Sequence, residues 1–166
     1  DAIQEIVAGN RLGDIGHAVE SRALAAGFSV VREYVGHGIG TSMHMEPNVP
    51  NYAVPGSSLE LVEGMALAVE PMVCAGDRAV RTLADDWTVV TQDGLRACHW
   101  AHTVALTAEG PWVLTALDGG AARFAAGTVA LVPRQPVRHL RSVGARRDLV
   151  RGVGVRAVAG RVLEPR

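Results

Sequence analysis

The first part of the chain alternates apolar and polar residues with helical spacing. Between residues 14 and 26, apolar side chains recur every four positions, which is the period of one helix face. Asp14 is suited to cap the first turn, and Gly27 is suited to end the last turn in the left-handed conformation. The pattern therefore predicts a helix over residues 14–26. An apolar face over residues 2–8 predicts the end of an earlier helix that begins before residue 1.

Beyond this helix, short apolar runs alternate with turn residues. Residues 28–35 are rich in β-branched and aromatic side chains, and residues 65–69 form an apolar run that stops at Glu70-Pro71. Such a run is typical of a buried strand whose last residue points a carboxylate outward. Proline and asparagine predict a loop over residues 47–55. Further strands are predicted over residues 87–91, 96–100, 102–107 and 112–116, with turns between them. The predicted fold class is α+β, mostly antiparallel sheet with helices on one face.

Length and composition favour one core of ordinary size. The chain has 166 residues, of which 48% are hydrophobic, and this suits one globular domain. The apolar runs are far shorter than the roughly 20 residues that a membrane-spanning helix needs, so we expect a soluble, cytoplasmic protein without a membrane partner. Cys74 and Cys98 have no metal-finger spacing and are expected to be reduced thiols.

Charge divides the chain after Gly120. Residues 1–120 carry 6 arginines and 15 acidic residues, whereas residues 121–166 carry 10 arginines and 2 acidic residues. The second part also lacks a consistent apolar period. We therefore predict a folded region over residues 1–120 and an arginine-rich, irregular or disordered tail over residues 121–166.

Two histidines near a glycine run are the first candidates for chemistry. His37 stands between Gly36 and Gly38, and His44 follows seven residues later. Neutral imidazole is a common ligand of transition metals. The motif alone is a weak signal, because a histidine in a glycine loop can equally well hydrogen-bond the backbone. A phosphate loop is excluded, since no Lys-Ser/Thr pair follows, and the glycines instead predict close approach of the backbone to a ligand.

Several sequence blocks together carry a more specific signal. They are YVGHGIG at residues 34–40, HMEP at 44–47, LVEGMALAVEPM at 61–72, DWTVVTQDG at 86–94 and HTV at 102–104. In order and spacing they resemble the type I, bacterial methionine aminopeptidases, over residues 2–120. The resemblance implies the C-terminal half of a pita-bread fold. It also implies a pair of divalent ions (Co, Mn, Fe or Zn) and removal of the initiator methionine from nascent peptide N-termini.

The resemblance assigns roles to four residues. In the family, two aspartates of the first half and a histidine and two glutamates of the second half hold the metals. The histidine corresponds to His37, and one glutamate corresponds to Glu70. His44 matches a catalytic histidine that contacts the substrate carbonyl, and Trp87 matches a tryptophan on the substrate side. Two bridged ions would lower the pKa of a shared water and polarise the carbonyl, while an imidazole N–H stabilises the developing oxyanion.

The sequence departs from the family at the remaining donors. Ala101 occupies the position of the second glutamate, and a methyl group cannot bind a metal. The first-half aspartates would lie before residue 1. Rescue by His99 or His102 is not expected, since side chains alternate along a strand and neither neighbour would share the face of Ala101. The sequence therefore predicts impaired or absent aminopeptidase activity.

Three interpretations of the chain remain at this point. It could be a fragment or decayed copy of a methionine aminopeptidase, or a non-catalytic pita-bread module. In the second case the tail, with a net charge of plus 8 over residues 121–166, would contact RNA, the ribosome or a protein. A third interpretation is catalysis with a separate chain that supplies the missing half. A lone half-fold leaves sheet surface uncovered, so self-association is also expected.

Overall fold

Residues 1–124 and 156–158 are described in the computed structural model, and they form two antiparallel sheets, a β-hairpin and one long helix. A 3-10 helix over Ala2–Glu5 precedes α1, which spans Leu12–Ala25. A short helix, α2, spans Ala121–Phe124. The strands are β1 Ser29–Val30, β2 Gly36–Gly38, β3 Met45–Val49, β4 Ala66–Val69, β5 Met72–Cys74, β6 Val80–Thr82, β7 Val89–Thr91, β8 Ala97–His99, β9 His102–Thr107, β10 Gly110–Val113 and β11 Arg156–Val158.

The start of α1 differs from the prediction by two residues. The helix begins at Leu12, so Asp14 lies inside the first turn and not before it. Its Oδ2 accepts the backbone N–H of Arg11 at 2.7 Å, and its Oδ1 accepts the N–H of Gly56 at the same distance. Asp14 therefore satisfies a free donor at the helix start and ties the helix to a distant loop. At the other end Gly27 has φ of +78°, as the sequence predicted.

The strands assemble into a five-stranded sheet and a four-stranded sheet. Their orders are β10-β9-β4-β2-β3 and β1-β5-β8-β11, while β6 and β7 pair by themselves. Every pair is antiparallel. The predicted fold class is thus confirmed for the described part of the chain, with helix content dominated by α1.

Two strand predictions and one loop prediction were wrong in extent. The strand predicted over residues 112–116 is β10, which spans Gly110–Val113. Of residues 28–35, only Ser29 and Val30 pair in a sheet, because the chain leaves β1 at exposed Arg32 and Glu33. The predicted loop over residues 47–55 begins inside β3, which includes Pro47. Proline is tolerated there because β3 is an edge strand and needs no donor on its outer side.

The core lies where the five-stranded sheet meets α1 and the 3-10 helix. Its fully buried side chains are mostly branched aliphatics; they are Ile6, Leu12, Ile15, Val49, Leu61, Leu67, Val69, Val104, Leu106 and Val113. Strand β4 is central, with β2 on one side and β9 on the other. It therefore holds the residues at its end, Glu70 included, on a rigid base. Both cysteines are unpaired, as predicted.

Most of residues 121–166 lies outside the described residues. The predicted irregular tail and the predicted self-association remain predictions; the described parts of the tail are α2 and β11. Within the described residues, no helix is long and apolar enough to cross a membrane.

Candidate functional site

Strand β2 holds His37 between two neighbouring strands. His37 pairs with Ala68 of β4 on one side and with Asn48 of β3 on the other. A Cβ at Gly36 would collide with the carbonyl oxygen of Ala68, and one at Gly38 would collide with that of Glu46. The glycines are therefore required by the tight approach of neighbouring strands. The sequence had predicted close approach to a ligand instead.

The imidazole of His37 meets the carboxylate of Glu70. His37 Nε2 lies 3.2 Å from Glu70 Oε1, and His37 Nδ1 lies 3.0 Å from the carbonyl oxygen of Gly38. A carbonyl oxygen only accepts, so Nδ1 donates its proton there. The other nitrogen then faces an ionised carboxylate, which also only accepts. This contact is attractive when His37 carries a second proton, or when a cation lies between the two groups.

The second oxygen of Glu70 is held by His99. His99 Nε2 lies 3.1 Å from Glu70 Oε2. The expectation that His99 would point elsewhere assumed a continuous strand through Ala101. In the structure β8 ends at His99 and β9 begins at His102, so the chain is irregular at Trp100 and Ala101 and simple alternation does not apply.

Asn51 holds the backbone of Glu70 through one hydrogen bond. Its side chain is 1% exposed, and its Nδ2 donates to the main-chain oxygen of Glu70 at 3.3 Å. The side chain of Glu70 is itself 18% exposed. Because water screens such a site only weakly, contacts of the carboxylate with imidazoles are stronger than on an open surface. Sequence reasoning missed Asn51, since an asparagine in a proline-rich segment is typical of a loop.

His44 lies beside His37. The centroids of the two rings are 4.2 Å apart and their planes are inclined by 54°. His44 is exposed. It follows β2 through a short connection and directly precedes β3, and this hairpin brings two histidines seven residues apart into contact. The rim of the site is thus lined by imidazole.

Trp87 is exposed and does not take part in the contacts of this cluster. It is in the connection between β6 and β7 and is 79% exposed. Its backbone N–H donates to Asp85 at 3.1 Å. Among the described residues, no hydrogen bond or ring contact joins it to His37, His44 or Glu70. Its predicted role on the substrate side remains a prediction.

The side chains of Ala101 and His102 make no hydrogen bond or ion pair with the carboxylate of Glu70. Ala101 is half-buried. His102 Nδ1 lies 2.8 Å from Thr115 Oγ1, and its ring lies 5.8 Å from that of Trp100. Burial lowers the pKa of His102, which favours the neutral ring. His102 is therefore engaged with Thr115, in the turn that follows β10, and lies beside Trp100.

His37 and Glu70 are the two candidate metal donors that the structure brings together. His37 Nε2 and Glu70 Oε1 are atoms of the kinds that bind one divalent cation. Yet the described residues contain no group of three or more histidine, cysteine, aspartate or glutamate side chains arranged to hold a metal. Both oxygens of Glu70 are also already in contact with imidazole nitrogens. The residues present do not fit a bridged metal pair.

Comparison with known proteins identifies the relatives of this chain. Methionine aminopeptidase from Clostridium acetobutylicum is 52% identical over 113 residues, covering 68% of this chain and 45% of that protein. Methionine aminopeptidase 1 from Mycobacterium tuberculosis is 48% identical over 119 residues. The chain thus spans about half the length of the curated relatives it matches.

Solved structures agree with the sequence comparison. The crystal structure of methionine aminopeptidase from Thermotoga maritima matches with a TM-score of 0.67 and 46% identity, over 68% of this chain and 45% of that one. The enzyme from Rickettsia prowazekii matches with a TM-score of 0.66 and 41% identity. The predicted partial pita-bread fold is therefore confirmed. Metallopeptidase family M24 matches residues 1–108, and the chain belongs to this family as a homologue of bacterial methionine aminopeptidases.

Proposed function

We propose that these 166 residues carry an aminopeptidase-type site with too few metal donors for catalysis, and that the chain by itself removes N-terminal methionine at a negligible rate. The observation that carries this proposal is the Glu70 carboxylate. It is held between His37 and His99. The proposal also takes Ala101 as the counterpart of the family's second glutamate, as the resemblance implies. The relatives are metallopeptidases, so divalent ions are expected in the complete enzymes.

His37 and Glu70 are the proposed second-half donors of the family's metal site. Their proximity at 3.2 Å on adjacent elements supports this assignment. His44, with its ring against that of His37, is the proposed contact for the carbonyl of a peptide substrate. Trp87 is the proposed residue of the substrate side. All four would serve nascent peptide N-termini in a complete enzyme.

The donor count explains the expected loss of activity. Loss of even a single outer partner of a metal ligand typically lowers metal affinity by about 10- to 100-fold. The family resemblance puts Ala101 at the position of a direct donor, so we expect a loss of at least this size here. Without firmly held ions, a hydrolytic water is not activated near neutral pH.

The test is hydrolysis of a Met-Ala-Ser peptide, followed by mass spectrometry in the presence of Co²⁺ or Mn²⁺. We expect no methionine release from the wild-type chain or from the Ala101→Glu variant, because one restored carboxylate still leaves too few donors. The complete enzyme from Clostridium acetobutylicum is the positive control. Turnover by the wild-type chain that is sensitive to a chelator and lost in Glu70→Gln would contradict the proposal.

A non-catalytic interaction module is the second candidate. The excess of arginine over acidic residues in residues 121–166 favours it, since such a segment binds nucleic acid by neutralising phosphates. Only Phe124 offers an aromatic ring in this segment, which argues against base stacking. RNA binding that weakens steeply with salt, and that disappears when residues 121–166 are removed, would support this candidate over a non-functional remnant.

A further inference from the structure

In the described part of the chain, three end strands of the two larger sheets have poorly pairing outer edges. The five-stranded sheet ends in β10 and β3, which contain Pro111 and Pro47. At one end of the four-stranded sheet, β1 is only two residues long. Proline and short length are common devices that keep an exposed edge from pairing with another chain. These three edges are therefore poor partners for a further strand.

Strand β8 lacks such protection in its own sequence. It consists of Ala97, Cys98 and His99, without proline, lysine, arginine or a carboxylate. Its outer edge is covered by β11. Without β11, β8 would present unpaired backbone donors and acceptors to any extended segment.

The hydrogen bonds between β5 and β8 show which backbone groups of β8 face inward. The N–H of Trp100 donates to the carbonyl oxygen of Pro71 at 3.2 Å, and the N–H of Ala75 donates to that of Arg96 at 2.8 Å. Backbone groups of successive residues alternate between the two sides of an antiparallel strand. The backbone groups of Cys98, midway between Arg96 and Trp100, therefore face β5.

The other two residues of β8 direct their backbone groups toward β11. Ala97 stands opposite Val158, and His99 stands opposite Arg156. By the same alternation these two are the hydrogen-bonded pairs of the ladder. Cys98 lies between them at a non-hydrogen-bonded position.

We propose that the outer edge of β8 is a strand-binding surface, which β11 occupies in the monomer and β8 of a second copy occupies when β11 leaves. The two copies of β8 pair antiparallel about a twofold axis at Cys98. Ala97 of one copy then stands opposite His99 of the other, so the same backbone groups that bond to β11 are satisfied. Because each His99 faces an alanine, no imidazole opposes another across the axis.

The pairing of β11 with β8 is suited to such an exchange. It involves only three residues of each strand, and residues 125–155 separate β11 from α2 along the chain. The entropic cost of bringing two parts of a chain together rises with the length between them. A fraction of molecules therefore has the β8 edge uncovered, and β11 limits self-association by keeping this fraction small.

Disulfide trapping through Cys98 tests the proposal on the full chain. A non-hydrogen-bonded antiparallel pair places its Cα atoms about 4.5 Å apart, which is within the span of a disulfide. Val158→Pro removes the N–H that β11 donates to Ala97. Loss of one ladder hydrogen bond should raise the uncovered fraction, so we expect disulfide-linked dimer to form at least about fivefold faster than in wild type under mild oxidation. Val158→Ile keeps the N–H and is the matched control, with the wild-type rate expected.

Amide hydrogen exchange measures the release of β11 independently of dimer formation. At low protein concentration, the amides of Ala97 and His99 should exchange at least about fivefold faster in Val158→Pro than in wild type. The amide of Cys98 faces β5 and should exchange equally slowly in both proteins. It thereby reports that the variant remains folded.

A second substitution tests whether β8 itself forms the contact between copies. Ala97→Pro removes an outward N–H, and proline is tolerated at such positions of edge strands. Added to Val158→Pro, it should return dimer formation to the wild-type rate.

Three results would overturn the proposal. Equal trapping of wild type and Val158→Pro would show that β11 does not limit self-association. Fast trapping that persists after Ala97→Pro is added would place the contact away from the β8 edge. Unchanged exchange at Ala97 and His99 in Val158→Pro would show that the ladder with β11 does not cover these groups.

Discussion

Gly16 is a position where one added methyl group should lower the stability of the fold. It packs against the segment that supports Glu70. It is buried on α1, and a Cβ built there would lie 2.7 Å from the carbonyl oxygen of Pro50 and 2.9 Å from that of Tyr52. These are backbone atoms, so no side-chain rotation relieves the contact. Asn51, which supports the backbone of Glu70, lies between these two residues.

Two effects of Gly16→Ala oppose each other. Alanine is favoured over glycine inside a helix by about 1 kcal/mol. Overpacking of a tight contact costs about 1–3 kcal/mol, and three backbone atoms within 3 Å put Gly16 near the upper end. We therefore expect a net loss of about 2 kcal/mol in the free energy of unfolding.

Urea denaturation followed by circular dichroism measures this loss. With a denaturant slope of about 2 kcal/mol per molar, the midpoint should fall by about 1 M urea. Ser21→Ala, at an exposed position of the same helix, is the control and should change stability by less than about 0.5 kcal/mol. If Gly16→Ala were as stable as wild type or more so, helix propensity would outweigh the contact. The close packing of α1 on residues 50–52 would then be refuted.

Two further predictions concern acid stability and thiol reactivity. The backbone N–H groups of Arg11 and Gly56 hold the pKa of Asp14 below its ordinary value. The resulting stability is present above the unfolded pKa and is lost as pH falls through the folded one, so Asp14→Asn should flatten the decline in stability below about pH 4 in urea titrations. If stability declined equally steeply in that variant, Asp14 would not be a source of the acid sensitivity. With a thiol reagent at neutral pH, Cys98 should react at least about tenfold faster than Cys74, since Cys74 is buried and burial raises its pKa. Equal rates, read by peptide mapping, would contradict this burial.

The sequence predicted well those elements whose own apolar residues follow a regular helical or strand spacing. Strand β9 begins at His102 and ends at Thr107, as the alternation indicated, and α1 departs from its prediction by two residues at its start. Residues 28–35 misled because β-branched side chains favour a strand wherever they occur. Whether a partner strand is present to pair with them depends on tertiary structure, which local propensity does not contain.

The candidate site was predictable in part. The family resemblance assigned His37, His44 and Glu70 to one site, and the structure brings these three side chains together, while their roles remain predictions. The contact of His99 with Glu70 was missed because side-chain alternation was applied across Ala101, although residues 96–100 and 102–107 were predicted as separate strands. Asn51 was missed because its donor role follows from packing of a distant segment against the end of β4.

Retention of metal by the wild-type chain tests the central claim most directly. The full chain would be dialysed first against Co²⁺ or Mn²⁺ and then against metal-free buffer, and the metal bound per chain would be measured by elemental mass spectrometry. The account predicts no retention above the level found for Glu70→Gln, because His37 and Glu70 are too few donors and His99 already occupies the carboxylate. Retention of one or more ions per wild-type chain, abolished by Glu70→Gln, would contradict it.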